Sequence, residues 1–330
     1  MKSSPRLSRA VAPAVALGVL VALAPTHAVS APAASYLQFT AVNLGGDNSP
    51  SWSSDGQFVY YSSRVTGLPY IYRKDSTAPM NQTGNRLTTW EIEELSADVS
   101  DDGSYVVMSA RDTVNLCHLW RVPATGGLPL TKMTYGPYDD LHPCWWGSGA
   151  SQEIAFATTR GGSGYQIATV KPNGTLAATQ FKQVTDAGHE DLYPNFSPAG
   201  DRIAFSSDRA GTRQIFVVTR EGNGWSAPVQ LTSGSGDKTN PAFSPTGLSI
   251  AYQSHSGGTS LWIMDANGSN PRAVTDGSGA YDAEPSFSPT TSQMAFVSDR
   301  SGAIYIWLIN DVSTPAATAS WGRVKATYRR

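Results

Sequence analysis

Two histidines lie close to acidic residues in corresponding segments of the chain, and such groups can transfer protons or bind a metal ion. His142 follows Asp140 by two residues. His189 directly precedes Glu190 and Asp191. An imidazole can act as a general base, and a nearby arginine can neutralise charge that develops on a substrate. The candidate catalytic residues are His142, His189, Tyr193 and Arg209, and the candidate metal ligands are Asp140, His142, His189 and Asp191. The alternative is that both histidines are loop residues that hydrogen-bond to exposed backbone.

Acidic residues also recur three positions before the start of five of the six sequence repeats described below. They are Asp47, Glu94, Asp140, Asp191 and Asp282, whereas the fifth repeat has Lys238. Carboxylates around one opening could hold a cation, with calcium as the candidate, or attract a basic partner. The alternative is that each acid pairs with the arginine after the second strand of its repeat, namely Arg64, Arg111, Arg160, Arg209 or Arg300. The fifth repeat has neither group, with Lys238 and His255 instead, and this joint loss favours ion pairs.

These residues belong to a phrase that returns six times along the chain. Each copy has a proline or alanine, a strand, a turn rich in serine and glycine, and then an apolar run. The copies begin at Pro50, Ala97, Pro143, Pro194, Pro241 and Pro285, at intervals of 44 to 51 residues. A repeat of this length that is rich in short strands predicts an array in which neighbouring units bury each other's apolar faces.

Each repeat divides into four short strands. A Ser-Pro-x-Gly turn, as at Ser197–Gly200, is typical of a hairpin between the first two strands. The sixth copy has Thr291 in place of glycine, so that its turn should differ. Apolar runs predict the second and third strands, and a weaker Leu-Thr or Val-Thr pair marks the fourth. The sequence therefore predicts an all-β fold, a six-bladed β-propeller of four-stranded antiparallel blades.

Two terminal segments compete for the place of the strand that closes the ring. Leu37–Thr40 matches Val229–Thr232 of a fourth strand, and Thr40 stands ten residues before Pro50, as Thr275 stands before Pro285. The segment 324–327 carries the same weak pattern. The spacing favours 36–40 as the closing strand.

The first 34 residues have the pattern of an export signal. A basic start with Lys2, Arg6 and Arg9 precedes an apolar stretch from Val11 to Leu23, which is too short to span a bilayer. We expect cleavage between about residues 28 and 34, which leaves one propeller domain at 35–330. The sequence predicts an exported protein, periplasmic or secreted, without a transmembrane segment.

The charge of the chain argues against nucleic acid as a partner. It has 24 Lys and Arg against 26 Asp and Glu, and without the three signal cations the balance is 21 against 26. No lysine and arginine cluster is large enough to neutralise a run of phosphates.

The phrase Phe-Ser-Pro-x-Gly-x-x-Ile-Ala-Phe-x-Ser-Asp-Arg, at Phe196–Arg209, resembles the WD40-like repeat of the TolB propeller family. The resemblance covers nearly the whole chain after the signal. It implies a six-bladed propeller outside the cytoplasm that binds proteins or ligands at the mouth of its channel. TolB has a further domain before its propeller, and here about fifteen residues separate the signal from the first repeat, so we expect a free-standing propeller.

Two functions remain open at the sequence level. The first is an exported, non-catalytic binding propeller that recognises a protein, peptide or glycan at the channel mouth, requires no cofactor and is a monomer. Its candidate binding residues are Asp47, Glu94, Asp140, Asp191, Lys238, Asp282 and Trp146. The second is a polysaccharide lyase or related carbohydrate-active enzyme at the same mouth, in which a base removes the proton beside a uronic-acid carboxylate.

The cysteines and aromatic residues have mainly structural interpretations. Cys117 and Cys144 are the only cysteines and are candidates for a disulfide, since export permits one; the alternative is two free thiols. Aromatic residues at one position of the first strand predict packing between blades, and they are Trp52, Trp145, Phe196, Phe243 and Phe287. Trp146 and Trp225 fall outside this register and are candidates for a surface contact.

Overall fold

The computed structural model describes residues 35–40, 46–172, 181–275 and 279–312 of the 330-residue chain. Within these residues the regular elements are short β-strands and one 3₁₀ turn at Gly149–Ser151. The strands form six antiparallel sheets, which confirms the predicted all-β, six-bladed propeller. The predicted signal segment and the segment 324–327 lie outside the described residues. No described helix is long and apolar enough to cross a membrane.

Each blade runs from an inner strand at the channel to a short outer strand. Blade 1 contains β2 (Asn48–Trp52), β3 (Phe58–Thr66), β4 (Leu68–Asp75) and β5 (Asn85–Arg86). Blade 2 contains β6 (Glu94–Val99), β7 (Tyr105–Arg111), β8 (Cys117–Pro123) and β9 (Thr131–Lys132). Blade 3 contains β10 (Asp140–Trp146), β11 (Glu153–Thr158), β12 (Gln166–Val170) and β13 (Phe181–Gln183).

The other three blades follow the same order. Blade 4 contains β14 (Leu192–Phe196), β15 (Arg202–Ser207), β16 (Gln214–Glu221), β17 (Gly224–Trp225) and β18 (Val229–Gln230), and the last two both pair with β16. Blade 5 contains β19 (Lys238–Phe243), β20 (Ser249–Ser254), β21 (Ser260–Asp265) and β22 (Arg272–Ala273). Blade 6 contains β23 (Asp282–Phe287), β24 (Met294–Ser298), β25 (Tyr305–Ile309) and, as its outer strand, β1 (Tyr36–Gln38).

The apolar core is divided into six clusters, and each one joins two neighbouring blades. For example, Trp52 and Tyr61 of blade 1 pack with Ile306 and Leu308 of blade 6. Four of the five aromatic residues predicted to pack between blades are buried, and Phe287 is half-buried. No blade therefore buries its apolar faces alone, as the repeat pattern predicts.

The N-terminal strand β1 closes the ring. It pairs antiparallel with β25, with Tyr36 opposite Ile309 and Gln38 opposite Trp307. This confirms 36–40 as a closing strand. The residue after β1 also contacts blade 1, since the Lys74 ammonium donates a hydrogen bond to the Phe39 carbonyl at 2.5 Å.

The recurrent threonine after the fourth strand has a structural role that the sequence did not reveal. Its buried hydroxyl accepts a backbone N–H from the third strand of the blade at 2.9 to 3.0 Å, and these threonines are Thr40, Thr134, Thr185, Thr232 and Thr275. In blade 1, Glu94 takes this N–H, from Ile71, and Thr88 donates to the same carboxylate. The fourth strands have only two or three residues in the regular sheet. The threonine adds one more hydrogen bond between the fourth-strand segment and the third strand.

The first hairpins of blades 1, 2, 4 and 5 share one turn that ends in a left-handed glycine, whereas blade 3 has the 3₁₀ turn Gly149–Ser151 in this place and blade 6 also differs. Gly200 and Gly247 have φ of 70° and 69°, in the left-handed region that favours glycine. In blade 6, the backbone N–H groups of Thr290 and Thr291 instead contact the Ser288 hydroxyl, at 3.4 and 3.3 Å.

Replacement of these two glycines by alanine separates backbone strain from crowding. A Cβ at Gly200 would lie 2.1 Å from the Trp146 indole, whereas at Gly247 the nearest atom, of Pro198, is 3.4 Å away. We expect Gly247→Ala to cost about 1 kcal/mol of unfolding free energy, from φ alone. We expect Gly200→Ala to cost about 2 kcal/mol, because the indole must also move. Urea denaturation of both variants measures the difference, and equal losses would contradict the contact with Trp146.

Candidate binding site in the central channel

The inner strands of the six blades enclose a cavity of about 710 Å³ along the propeller axis. Its lining includes the six residues that directly precede the repeat starts. We call these residues the inner ring: Ser49, Ser96, His142, Tyr193, Asn240 and Glu284. All six line the cavity, so that each blade contributes one polar side chain at the same position.

Five members of the inner ring have a left-handed backbone although none is glycine. Their φ angles are 52° at Ser49, 51° at His142, 56° at Tyr193, 50° at Asn240 and 52° at Glu284. At each of them the pairing of the inner strand with the second strand shifts its register. Such bulges re-aim side chains, and strained residues of this kind cluster at functional sites. The sixth member, Ser96, precedes alanine instead of proline and does not have this conformation.

His142 and Tyr193 lie side by side in the ring. Their ring centroids are 4.0 Å apart, at an interplanar angle of 36°. Burial lowers the pKa of His142 to about 4, so the imidazole is neutral at pH 7. Its Nδ1 atom is buried without a hydrogen-bond partner among the described residues. Burial, and secondarily the charge of Glu284, raises the pKa of Tyr193, whose hydroxyl stays protonated.

Glu284 is the one acidic member of the inner ring. Its Oε2 atom accepts a hydrogen bond from the backbone N–H of Ser49 at 2.6 Å, which links blade 6 to blade 1. Burial raises the pKa of this carboxyl, and the Ser49 hydrogen bonds oppose the shift only in part. None of the ion pairs in the described part of the chain includes Glu284.

Two positions further along the inner strands, side chains tie each blade to the next. Asp98 accepts a hydrogen bond from the Trp145 backbone N–H at 2.7 Å and one from the Ser51 hydroxyl at 2.6 Å. Asn195 accepts the backbone N–H of Phe243 at 2.8 Å. Burial raises the pKa of Asp98 to about 6. This position therefore holds the blades together around the cavity.

Cys144 occupies the same position in blade 3 and is a free thiol, as is Cys117. Its sulfur accepts the backbone N–H of Phe196 at 3.4 Å. Burial raises the pKa of both thiols, that of Cys117 to about 11. The candidate disulfide between Cys117 and Cys144 is not formed in the structure, and Cys144 serves the contact between blades instead.

The acidic residues before the repeats are buried and none of them lines the cavity. In three blades the predicted ion pair is present. Asp140 pairs with Arg160, Asp191 with Arg209 at 2.7 Å, and Asp282 with Arg300 at 2.7 Å. Serine or threonine hydroxyls add hydrogen bonds, as from Ser298 to Asp282 at 2.6 Å. These carboxylates thus stabilise the loops between blades.

In blades 1 and 2 the predicted pairing with arginine is wrong. Asp47 is hydrogen-bonded by Ser63 and Thr40, and Arg64 is exposed. Arg111 pairs with Glu93 at 3.0 Å instead of Glu94, since Glu94 is occupied by Thr88 and Ile71.

Lys238 takes the place of the acid in blade 5. Its ammonium donates hydrogen bonds to the Ser235 and Gly236 carbonyls, each at 2.8 Å, and to the Ser256 hydroxyl at 3.0 Å. The lysine therefore satisfies loop carbonyls, where the other blades place a carboxylate.

The structure brings together only part of the candidate catalytic and metal sets. His142 and Tyr193 are in contact, whereas Arg209 is engaged by Asp191. His189 lies at the surface, with Nδ1 3.6 Å from Asp208 Oδ1. Among the described residues no group of three or more His, Cys, Asp or Glu is placed to hold a metal ion. The four candidate ligands are thus not gathered at one point.

The two tryptophans proposed for surface contacts are both half-buried and pack on Phe196. Trp146 is half-buried against Phe196, and its indole N–H donates to the Pro198 carbonyl at 3.1 Å. It also lines the cavity. Trp225 packs on the same Phe196 and under the Arg220 guanidinium.

Sequence reasoning singled out His142 and Tyr193 but missed Ser49, Asn240 and Glu284. The signal that finds them is their place directly before the repeat proline. It also missed His118, which is buried between Asp112 and Asp140 at 3.3 and 3.7 Å.

No family model matches the chain, whereas individual proteins and solved propeller structures do. Over 160 residues the chain is 38% identical to the Tol-Pal system protein TolB of Bordetella pertussis. The matched region is 48% of this chain and 34% of that protein. Its structure resembles TolB from Acinetobacter baumannii, with a TM-score of 0.62 and 21% identity over 74% of this chain and 58% of that one. The putative TolB from Agrobacterium tumefaciens gives a TM-score of 0.60 and 19% identity over 80% and 90%. The chain spans about a third or less of the curated relatives it matches first.

Proposed function

We propose that this chain, a TolB-like six-bladed β-propeller, binds a protein partner by receiving an extended segment of it in the central channel. The observation that carries the proposal is the cavity of about 710 Å³ between the inner strands. This volume lies within the range of about 300 to 1,000 Å³ that is common for ligand sites. A cavity of this volume admits a short extended segment and is too small for a folded domain.

The chemistry of the inner ring supports the proposal. Its hydroxyl, imidazole, amide and carboxyl groups can donate and accept hydrogen bonds to the backbone of an extended segment. The aromatic residues around the cavity supply apolar surface for side chains of the partner. Five of the ring residues are held in the left-handed region, so that the groups are positioned before a ligand arrives.

We also propose that the protein acts outside the cytoplasm. The pattern of residues 1–34, with a basic start and a short apolar stretch, supports export. The propeller at 35–312 would then meet its partner in the periplasm or outside the cell.

The proposed function is tested by filling the channel. A library of random short peptides is selected for binding to the protein, and the selected peptides are measured against two variants. Ser49→Tyr places an aromatic ring in the channel, and Tyr193 occupies the same position of blade 4 with a similar φ. We expect affinity for the peptides to fall by about tenfold or more.

The matched control is Val229→Tyr, since Val229 lies exposed on the outer strand β18. This variant should bind the peptides as the natural protein does. Equal binding to Ser49→Tyr, or the absence of any selected peptide, would overturn the proposed function.

A further inference from the structure

We infer that the channel selects a basic side chain, a lysine or arginine of the partner segment, and that Glu284 is the carboxylate that receives it. The inference rests on the proposed function, because it names the chemistry of the ligand for the same cavity. It follows from the balance of charge along the cavity wall and from the pairing of each charged group.

The cavity wall carries more acidic than basic side chains. Four carboxylates line it, and they are Asp98, Asp101, Asp139 and Glu284. Arg111 is the one lysine or arginine among the lining residues, and its Nε atom already donates to Glu93 at 3.0 Å. An acidic ligand would therefore meet an excess of like charge along the wall, whereas a basic ligand would meet opposite charge.

All four of these carboxylates accept a backbone N–H, and for Glu284 the donor is Ser49 of the inner ring itself, at 2.6 Å. Asp98 accepts the Trp145 N–H at 2.7 Å, Asp101 the Gly147 N–H at 2.9 Å, and Asp139 the Cys117 N–H at 2.8 Å. Each of them therefore has a structural role in a neighbouring strand or turn.

Glu284 differs from the other three by its position in the inner ring. It is bonded by Ser49, but no lysine or arginine of the described chain pairs with it. Burial opposes its ionisation and raises its pKa, and the hydrogen bonds from Ser49 offset this shift only in part. A bound ammonium or guanidinium would supply a compensating positive charge and leave an ion pair in a confined site.

The neighbours of Glu284 in the ring fit the same ligand. A guanidinium or ammonium group only donates hydrogen bonds, so it needs acceptors. The neutral imidazole of His142 has a buried nitrogen without a partner, and Asn240 offers an amide oxygen. The adjacent rings of His142 and Tyr193 add aromatic surface, on which cations are stabilised. No feature of this ring requires a negatively charged ligand.

The inference is tested with four capped tripeptides that have no terminal charge. They are Gly-Lys-Gly, Gly-Arg-Gly, Gly-Gln-Gly and Gly-Glu-Gly, and binding is followed by isothermal calorimetry and by the fluorescence of the tryptophans that line the cavity. We expect the lysine or arginine peptide to bind about tenfold more tightly than the glutamine peptide, and the glutamate peptide to bind least.

Glu284→Gln separates the charge from the shape of the site. The amide oxygen of glutamine can still accept the Ser49 N–H, so the variant should fold and keep its affinity for the glutamine peptide. Its preference for basic peptides should fall by about tenfold. The control is Glu221→Gln, an exposed residue at the end of β16 outside the cavity, which should keep the full preference.

The library peptides give an independent measurement. Their lysines and arginines are replaced by glutamine one at a time, and we expect one replacement to cause most of the loss. If the selected peptides bind in the channel but contain no basic residue, or if Glu284→Gln binds basic peptides as the natural protein does, the inference is wrong and the proposed function stands. If Ser49→Tyr leaves all binding intact, the proposed function fails as well.

Discussion

Asp191→Ala is expected to destabilise the propeller by about 3 kcal/mol, because it removes the carboxylate that compensates a buried arginine. Asp191 is fully buried, and its Oδ2 atom lies 2.7 Å from Nη2 of Arg209. The arginine side chain is 17% exposed and lies over the rings of Phe205 and Phe216. It cannot turn into water without losing these contacts. Urea denaturation followed by circular dichroism measures the loss.

Two variants identify the source of this loss. Glu221→Ala removes an exposed carboxylate at the end of β16 and should change the unfolding free energy by less than about 0.5 kcal/mol. The double variant Asp191→Ala with Arg209→Leu removes both charges and should recover part of the stability. Equal losses for Asp191→Ala and Glu221→Ala would show that burial of the ion pair does not increase its contribution to stability.

Asp98→Asn is expected to stabilise the protein at pH 7 and to weaken the dependence of its stability on pH. Burial raises the pKa of Asp98 from 3.8 to about 6. The folded state therefore binds the proton more tightly than the unfolded state. The stabilisation that this proton gives the folded state is fully present below pH 3.8. It is lost as the pH rises through 6, and the loss of unfolding free energy reaches about 3 kcal/mol. Asparagine does not titrate, so the variant should avoid this loss at pH 7.

The comparison with blade 4 supplies the control for Asp98→Asn. Asn195 already accepts the corresponding N–H of Phe243, so an amide fits this position. The reverse change, Asn195→Asp, should introduce a loss of stability between pH 4 and 7. Denaturation curves at a series of pH values for the three proteins measure both effects. Parallel pH profiles for the natural protein and Asp98→Asn would contradict the raised pKa.

The fold could be predicted from the sequence because its determinants are local and repeated. The turn at Gly200 needs a residue that tolerates positive φ, and the Ser-Pro-x-Gly pattern shows this directly. Thr40 lies at the spacing of a fourth strand, and this placed the closing strand correctly. Each copy of the repeat tests the same interpretation, so an error in one blade does not change the architecture.

The candidate site could be predicted only in part, because its geometry depends on contacts between blades. The place before the repeat proline marks His142 and Glu284 as equivalent positions, but a residue before proline is usually extended, so the sequence does not show that their backbone is left-handed. The partners of the buried acids also depend on side-chain reach. Glu94 is one carbon longer than the aspartates and takes the N–H of Ile71, which leaves Arg111 to Glu93. Single-sequence patterns do not contain such choices.

The closing strand also determines when the ring can exist during synthesis. Thr40 and Ile306, which are joined across the seam, are separated by 266 residues along the chain. A ribosome therefore releases β1 first, and its partner β25 becomes available only after five other blades have been made. Until then blade 1 lacks the apolar neighbour that covers Trp52 and Tyr61. The nascent chain thus carries an open apolar face from its first blade to its last, and a single long-range closure covers it.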